Sequence, residues 1–96
     1  MAYFAAVLTY GEDAERRQEV RPKHREYLRG KLESGKVLMA GPFGDDSGAI
    51  IIYQAEDISE VQEMLTNDPF AQNGVIVDST IKPWKIVMAQ DENLVS

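Results

Sequence analysis

The sequence has no cysteine and a single histidine. Disulfides, thiolate metal ligands and cysteine nucleophiles are therefore excluded, as is any metal centre built from several histidines. Long apolar runs are missing too, since nothing approaches the roughly 20 residues that a membrane-spanning helix needs. The opening MAYFAAVLTY has neither a basic lead-in nor a cleavage site, so it does not read as a signal peptide. Positive charge is scarce: 10 Lys and Arg stand against 16 Asp and Glu, a formal net charge of −6. That balance argues against nucleic acid or an anionic membrane as partner. A cytoplasmic protein without a protein-built zinc site is the expectation.

What remains is the composition of an ordinary globular domain, 44% hydrophobic and 27% charged over 96 residues. A chain this short holds one core, and a thin one. Tyr3 to Tyr10 is apolar and β-prone, and Gly11 bounds it, so a strand is predicted there. Asp13 to about Ser34 is helical in composition, interrupted by Pro22 and closed by Gly35 as the C′ glycine. Val37 to Phe43 reads as a second strand, broken at Gly41-Pro42, and Gly44 to Gly48 as a turn. Ala49 to Tyr53 is an unbroken apolar run, the pattern of a strand buried on both faces. On a second helix, Asp57 to about Asn67, Ile58, Val61 and Leu65 recur at spacings of three and four. Gly74 to Val77 opens a fourth strand, and Ile81 to Met88 continues it or adds another. Pro83 implies an edge position, a bulge or a break. The tail from Gln90 to Ser96 is polar and reads as frayed.

This order, β-α-β-β-α-β, is the ferredoxin-like plan: an α+β fold with two helices on one face of a four-stranded antiparallel sheet. Its second face must be solvated, cover a ligand or bury itself against another sheet. Val7, Leu38, Ile51, Tyr53, Val75 and Val77 offer more apolar strand surface than one helical layer covers. A homodimer formed by sheet-to-sheet packing is expected, with a pocket for a small-molecule ligand beside the helices or at the seam.

Four features carry chemistry. His24 falls on the stripe Val20-His24-Leu28-Leu32, spaced by four, which points towards the sheet. If the helix starts afresh at Arg21-Pro22, His24 occupies a first turn, where free N–H groups and the dipole attract an anion. A satisfied core or surface histidine is the plainer account. Asp68-Pro69-Phe70 places a carboxylate where it can orient an imidazole, although an N-cap followed by proline explains the pair equally well. Gly41-Pro42 lets another group approach strand two closely, while Asp45, Asp46 and Ser47 read as a solvated turn. Trp84, between Lys82 and Lys85, suits a pocket wall, the dimer seam or simple packing. Glu12, Asp13, Glu15, Arg16, Arg17, Glu19 and Arg21 mix signs and read as a solvated helix face.

Taken in order, Arg21-Pro22-x-His24, Gly35-x5-Gly41-Pro42, the apolar strand opened by Gly48, Asp68-Pro69-Phe70 and Lys82-Pro83-Trp84 resemble the YciI-like family. The resemblance covers about Tyr3 to Met88. It implies the dimeric α+β barrel superfamily, one domain over residues 1–89 and a separate tail over 90–96. It also implies that His24 and Asp68 form an active-site pair. Relatives are associated with aromatic-ring degradation, including loss of halide from hydroxylated rings. Many carry Pro-Tyr where this chain has Pro69-Phe70, so Phe70 lacks a hydroxyl that some relatives have.

The function expected is a small lyase or isomerase needing no cofactor. His24 is its general base or acid, Asp68 orients the ring, and Arg21 binds a substrate carboxylate or enolate. Gly41 and Pro42 line the pocket, and Phe43, Phe70 and Trp84 give it apolar walls. Two alternatives remain open at this level: a non-catalytic binding or sensor module, and a cofactor-free monooxygenase of the same superfamily.

Overall fold

The computed structural model describes residues 2–95. Alternation of buried and exposed positions makes Ala2–Tyr10 a strand, β1, with Phe4, Ala6 and Leu8 turned to one side. The first helix, α1, spans Ala14–Glu33, and Asp13 caps it by accepting the Arg16 N–H at 3.0 Å. It ends where Gly35 takes a positive φ of 81° and Lys36 N–H reaches back to the Lys31 carbonyl, a closure that glycine makes without strain. Strand β2 runs over Val37–Pro42 and β3 over Gly48–Ala55. Helix α2, Ile58–Thr66, is capped by Asp57. A single turn, α3, covers Pro69–Gln72, and β4 covers Ile76–Trp84.

All strand pairings are antiparallel, in the order β2-β3-β1-β4. This is the α+β, ferredoxin-like fold read from the sequence. The core fills the space between sheet and helices: Phe4, Ala6 and Leu8 of β1 and Ile51 and Tyr53 of β3 meet Val61, Met64 and Leu65 of α2. A second, smaller cluster joins Val20 of α1 to Phe70 and Val75. Gly48 is fixed by crowding, because a Cβ there would run into the Leu8 backbone of the neighbouring strand.

Three local expectations are corrected. Helix α1 does not restart at Pro22 but passes through it. The proline forfeits one N–H, to the exposed Gln18 carbonyl, while the Asp13 cap and the burial of Val20 and His24 hold the turns on either side. Strand β2 is not broken at Gly41, which pairs with Ile50; its irregularity lies between Val37 and Met39, where Leu38 has no opposite residue. The fourth strand continues through Ile81 and ends at Trp84, one of the two courses left open, and Pro83 sits at an edge as expected. In the tail, Asp91 caps a short 3-10 turn over Glu92–Leu94; Met1 and Ser96 lie outside the described residues. No helix is long and apolar enough to cross a membrane among the described residues.

Candidate functional site

His24 lies mid-helix, roughly 15 Å along the axis from the first residue of α1. The dipole end expected beside it is therefore elsewhere. Its partner comes from the short link between α2 and α3. Asn67 ends α2, and the chain turns so that Asp68 becomes the N-cap of α3, with Pro69 in the first helical position. Asp68 is fully buried, and its Oδ1 accepts the Phe70 N–H at 2.9 Å. The same oxygen lies 2.7 Å from His24 Nδ1, across 44 residues of sequence. One carboxylate oxygen thus serves as helix cap and as imidazole partner.

Packing fixes the ring as well. Phe70 stacks on His24 with centroids 3.8 Å apart and planes 3° from parallel, and Tyr10 meets Phe70 edge-on at 5.6 Å. A carboxylate on Nδ1 selects the tautomer in which Nδ1–H donates, which leaves the lone pair on Nε2. Among the described residues Nε2 has no protein partner. Behind the pair are two more phenols. Tyr27 donates to the Met64 carbonyl at 2.7 Å, and burial, with the charge of Asp68 next, raises its pKa. The same two causes, in the same order, raise the pKa of the fully buried Tyr53 beyond the ordinary phenol range. Neither the Tyr53 hydroxyl nor Asp68 Oδ2 has a hydrogen-bond partner among the described residues.

His24 opens onto a cleft of about 330 Å³ between α1 and the β2 edge of the sheet. Arg21, Gly41, Pro42 and Phe70 line it with His24, so five of the expected site residues meet there, and Asp68 is bonded from beneath. Phe43 and Trp84 are not among its walls. The Phe43 N–H closes the β2–β3 turn onto the Gly48 carbonyl. Trp84 sits on β4, the opposite edge of the sheet, paired with Tyr3. Their place is taken by Leu28, Leu32, Val37 and Ile51. The sequence reading also missed Arg25 and Arg29, although a signal was present: both continue the spacing of four from Arg21. Among the described residues no group of three or more His, Asp or Glu side chains is placed to hold a metal ion.

Comparison with known proteins gives the lineage. A family model described as a YCII-related domain matches residues 2–85, and the chain belongs to that family. It is 33% identical to the derivative of benzaldehyde biosynthesis cluster protein C of Emericella nidulans, over 68% of this chain and 78% of that one. Its identity to protein YciI of Escherichia coli is 29%, over 91% of this chain and 99% of the relative. Among solved structures, the 5-chloro-2-hydroxyhydroquinone dehydrochlorinase of Burkholderia phenoliruptrix, in complex with 2,5-dihydroxybenzoquinone, superposes with a TM-score of 0.77 at 26% identity. That match covers 88% of this chain and 94% of the other. An antibiotic biosynthesis monooxygenase superposes with a TM-score of 0.60 at 16% identity, covering 92% of this chain and all of that one, a likeness of fold alone.

Proposed function

From membership of the YCII-related family, we propose that this protein is a small proton-transfer enzyme of the lyase or isomerase type, working without a cofactor on a hydroxylated, ring-sized substrate. The observation that carries the reading is the 2.7 Å contact between His24 Nδ1 and the buried Asp68 carboxylate at the floor of an apolar cleft. Support comes from the relative of similar fold that is a dehydrochlorinase bound to a dihydroxybenzoquinone.

In this mechanism Nε2 takes the proton of a ring hydroxyl, the freed electron pair forms the carbonyl, and the proton returns to a ring carbon. That is an isomerisation. Where the protonated carbon carries a halide, loss of a second hydroxyl proton drives electrons through the ring and expels the halide, with net loss of one H–X. The Asp68 charge steadies the imidazolium at each stage, and Phe70 holds the ring plane. The stacked Phe70 and the two-fold use of Oδ1 leave the imidazole little freedom, which supports this reading.

The test is deuterium exchange into ring positions of plain and halogenated hydroquinones, followed by NMR together with halide release. Wild-type protein should exchange, and His24→Gln should lose about 10²–10⁴-fold in rate. Asp68→Asn should lose activity while still capping α3. Ligand-dependent thermal shifts without exchange or release from any substrate would instead make the protein a binding module.

The working unit in this proposal is a homodimer. The sheet face turned away from the helices exposes Val7, Met39, Ile50 and Trp84, each between 38% and 50% accessible. A second copy of the same face is the self-complementary cover, and light scattering should return twice 10.8 kDa. A mass of one chain would remove it.

A further inference from the structure

Arg17, Arg21, Arg25 and Arg29 recur every fourth residue and form one row along α1. In an acidic chain such a row should be laced with carboxylates. Among the described residues, however, the ion pairs are His24–Asp68 and Lys36–Glu60, and none of these arginines has an acidic partner. Asp13 and Glu33 extend the row by the same spacing at its two ends, yet neither pairs with it. Like charges at i, i+4 destabilise a helix, so the row opposes folding unless something offsets it. Arg17 has its own place, with its guanidinium 5.2 Å from the centre of the Tyr10 ring. The other three line the cleft.

Their heights along the helix matter. Relative to His24, the Arg21 backbone lies about 4.5 Å towards the N-terminus, and Arg25 and Arg29 lie about 1.5 and 7.5 Å the other way. Leu28 falls within that last stretch and Leu32 one turn beyond it, and both line the cleft together with Val37 and Ile51. An apolar body lying there puts one end at the imidazole and the other near Arg29.

We propose that Arg25 and Arg29, with Arg21, select the substrate of this cleft, and that it is a ring-sized organic acid. Its carboxylate is held on the arginine row, its ring lies along Leu28 and Leu32, and its hydroxyl meets His24. This rests on the proton-transfer reading above and adds the acidic group to the substrate class. Guanidinium is suited to the task because it stays charged and holds both carboxylate oxygens at once.

Two probes of one shape and different charge test it: 4-hydroxybenzoate and 4-hydroxybenzamide, titrated by NMR into the intact protein. The acid should bind about tenfold more tightly at low ionic strength, and the preference should shrink as salt is added. The double variant Arg25→Gln/Arg29→Gln changes only exposed side chains and should bring the two probes within about twofold of each other, whereas Arg29→Lys should keep part of the preference. Equal binding of the two probes by wild type, a preference that survives the double variant, or failure of both to bind at millimolar concentration would overturn the proposal. His24→Gln separates it from the proton-transfer reading, since that variant should lose exchange yet keep the preference for the acid. Turnover without that preference sinks the arginine row alone. The preference without turnover sinks the chemistry and leaves the row standing.

Discussion

Helices α1 and α2 lie on the same side of the same sheet and do different work. Helix α2 is short and turns Val61, Met64 and Leu65 into the main cluster. Helix α1 is more than twice as long, and its buried residues are only Val20 and His24. Its Leu28 is half-buried and Leu32 is 50% exposed, because the stripe that begins in the core ends in the cleft. The difference is instructive. Stability is concentrated under α2, and the open seam under the C-terminal half of α1 is where a ligand has room.

The sharpest way to break this contrast is a pair of truncations. Leu65→Ala should cost about 2–5 kcal/mol in chemical denaturation, and Leu28→Ala less than half as much. Equal losses would mean that α1 closes the core as firmly as α2 does. The next effect has the opposite sign. Pro22→Ala restores the N–H that α1 lacks and should raise stability by about 1–3 kcal/mol, leaving proton exchange unchanged. A loss of stability there would show that the proline shapes the helix over the cleft.

The smallest effect is read at high pH. Burial, then the charge of Asp68, raises the Tyr53 pKa in the folded protein above its unfolded value near 10.0. A raised pKa stabilises the fold below the unfolded value, so that contribution is lost as pH climbs past about 10 and the unfolded chain ionises first. Tyr53→Phe should flatten that alkaline decline. At neutral pH it should change stability by no more than about 1 kcal/mol, because the hydroxyl it removes has no partner among the described residues. A decline of unchanged slope in the variant would assign the effect to other phenols.

Much of this fold was legible because period and punctuation agreed. Ile58, Val61 and Leu65 marked α2, Gly35 marked the end of α1, and Gly48 opened β3. Where the reading failed, a local rule met a tertiary one. A proline ordinarily ends a helix, but packing and a good cap carried α1 across Pro22. Gly41-Pro42 looked like a break, yet neither an edge strand nor a residue with an open Cβ position is disturbed by them. Trp84 lies away from the cleft because the distance between β2 and β4 depends on strand order, which no local pattern encodes. The meeting of His24 and Asp68 came from topology and family resemblance together, since neither residue alone implies the other. The arginine row is visible as spacing, but a row of charge on a helix does not by itself say that a cleft lies beside it.

The double use of Asp68 Oδ1 limits how this chain can change over generations. A replacement at position 68 that leaves no side-chain oxygen in reach alters the start of α3 and the setting of the imidazole in one step. Glutamate keeps the charge but carries it one carbon further out, and serine keeps a cap but drops the charge. Variation can therefore spare the turn while dropping the charge, as asparagine does, but a charge held at the imidazole brings its oxygen to the turn as well. Descendants that give up the contact with the imidazole have no reason to hold an aspartate there in place of another good cap, and those that keep it inherit the turn as well.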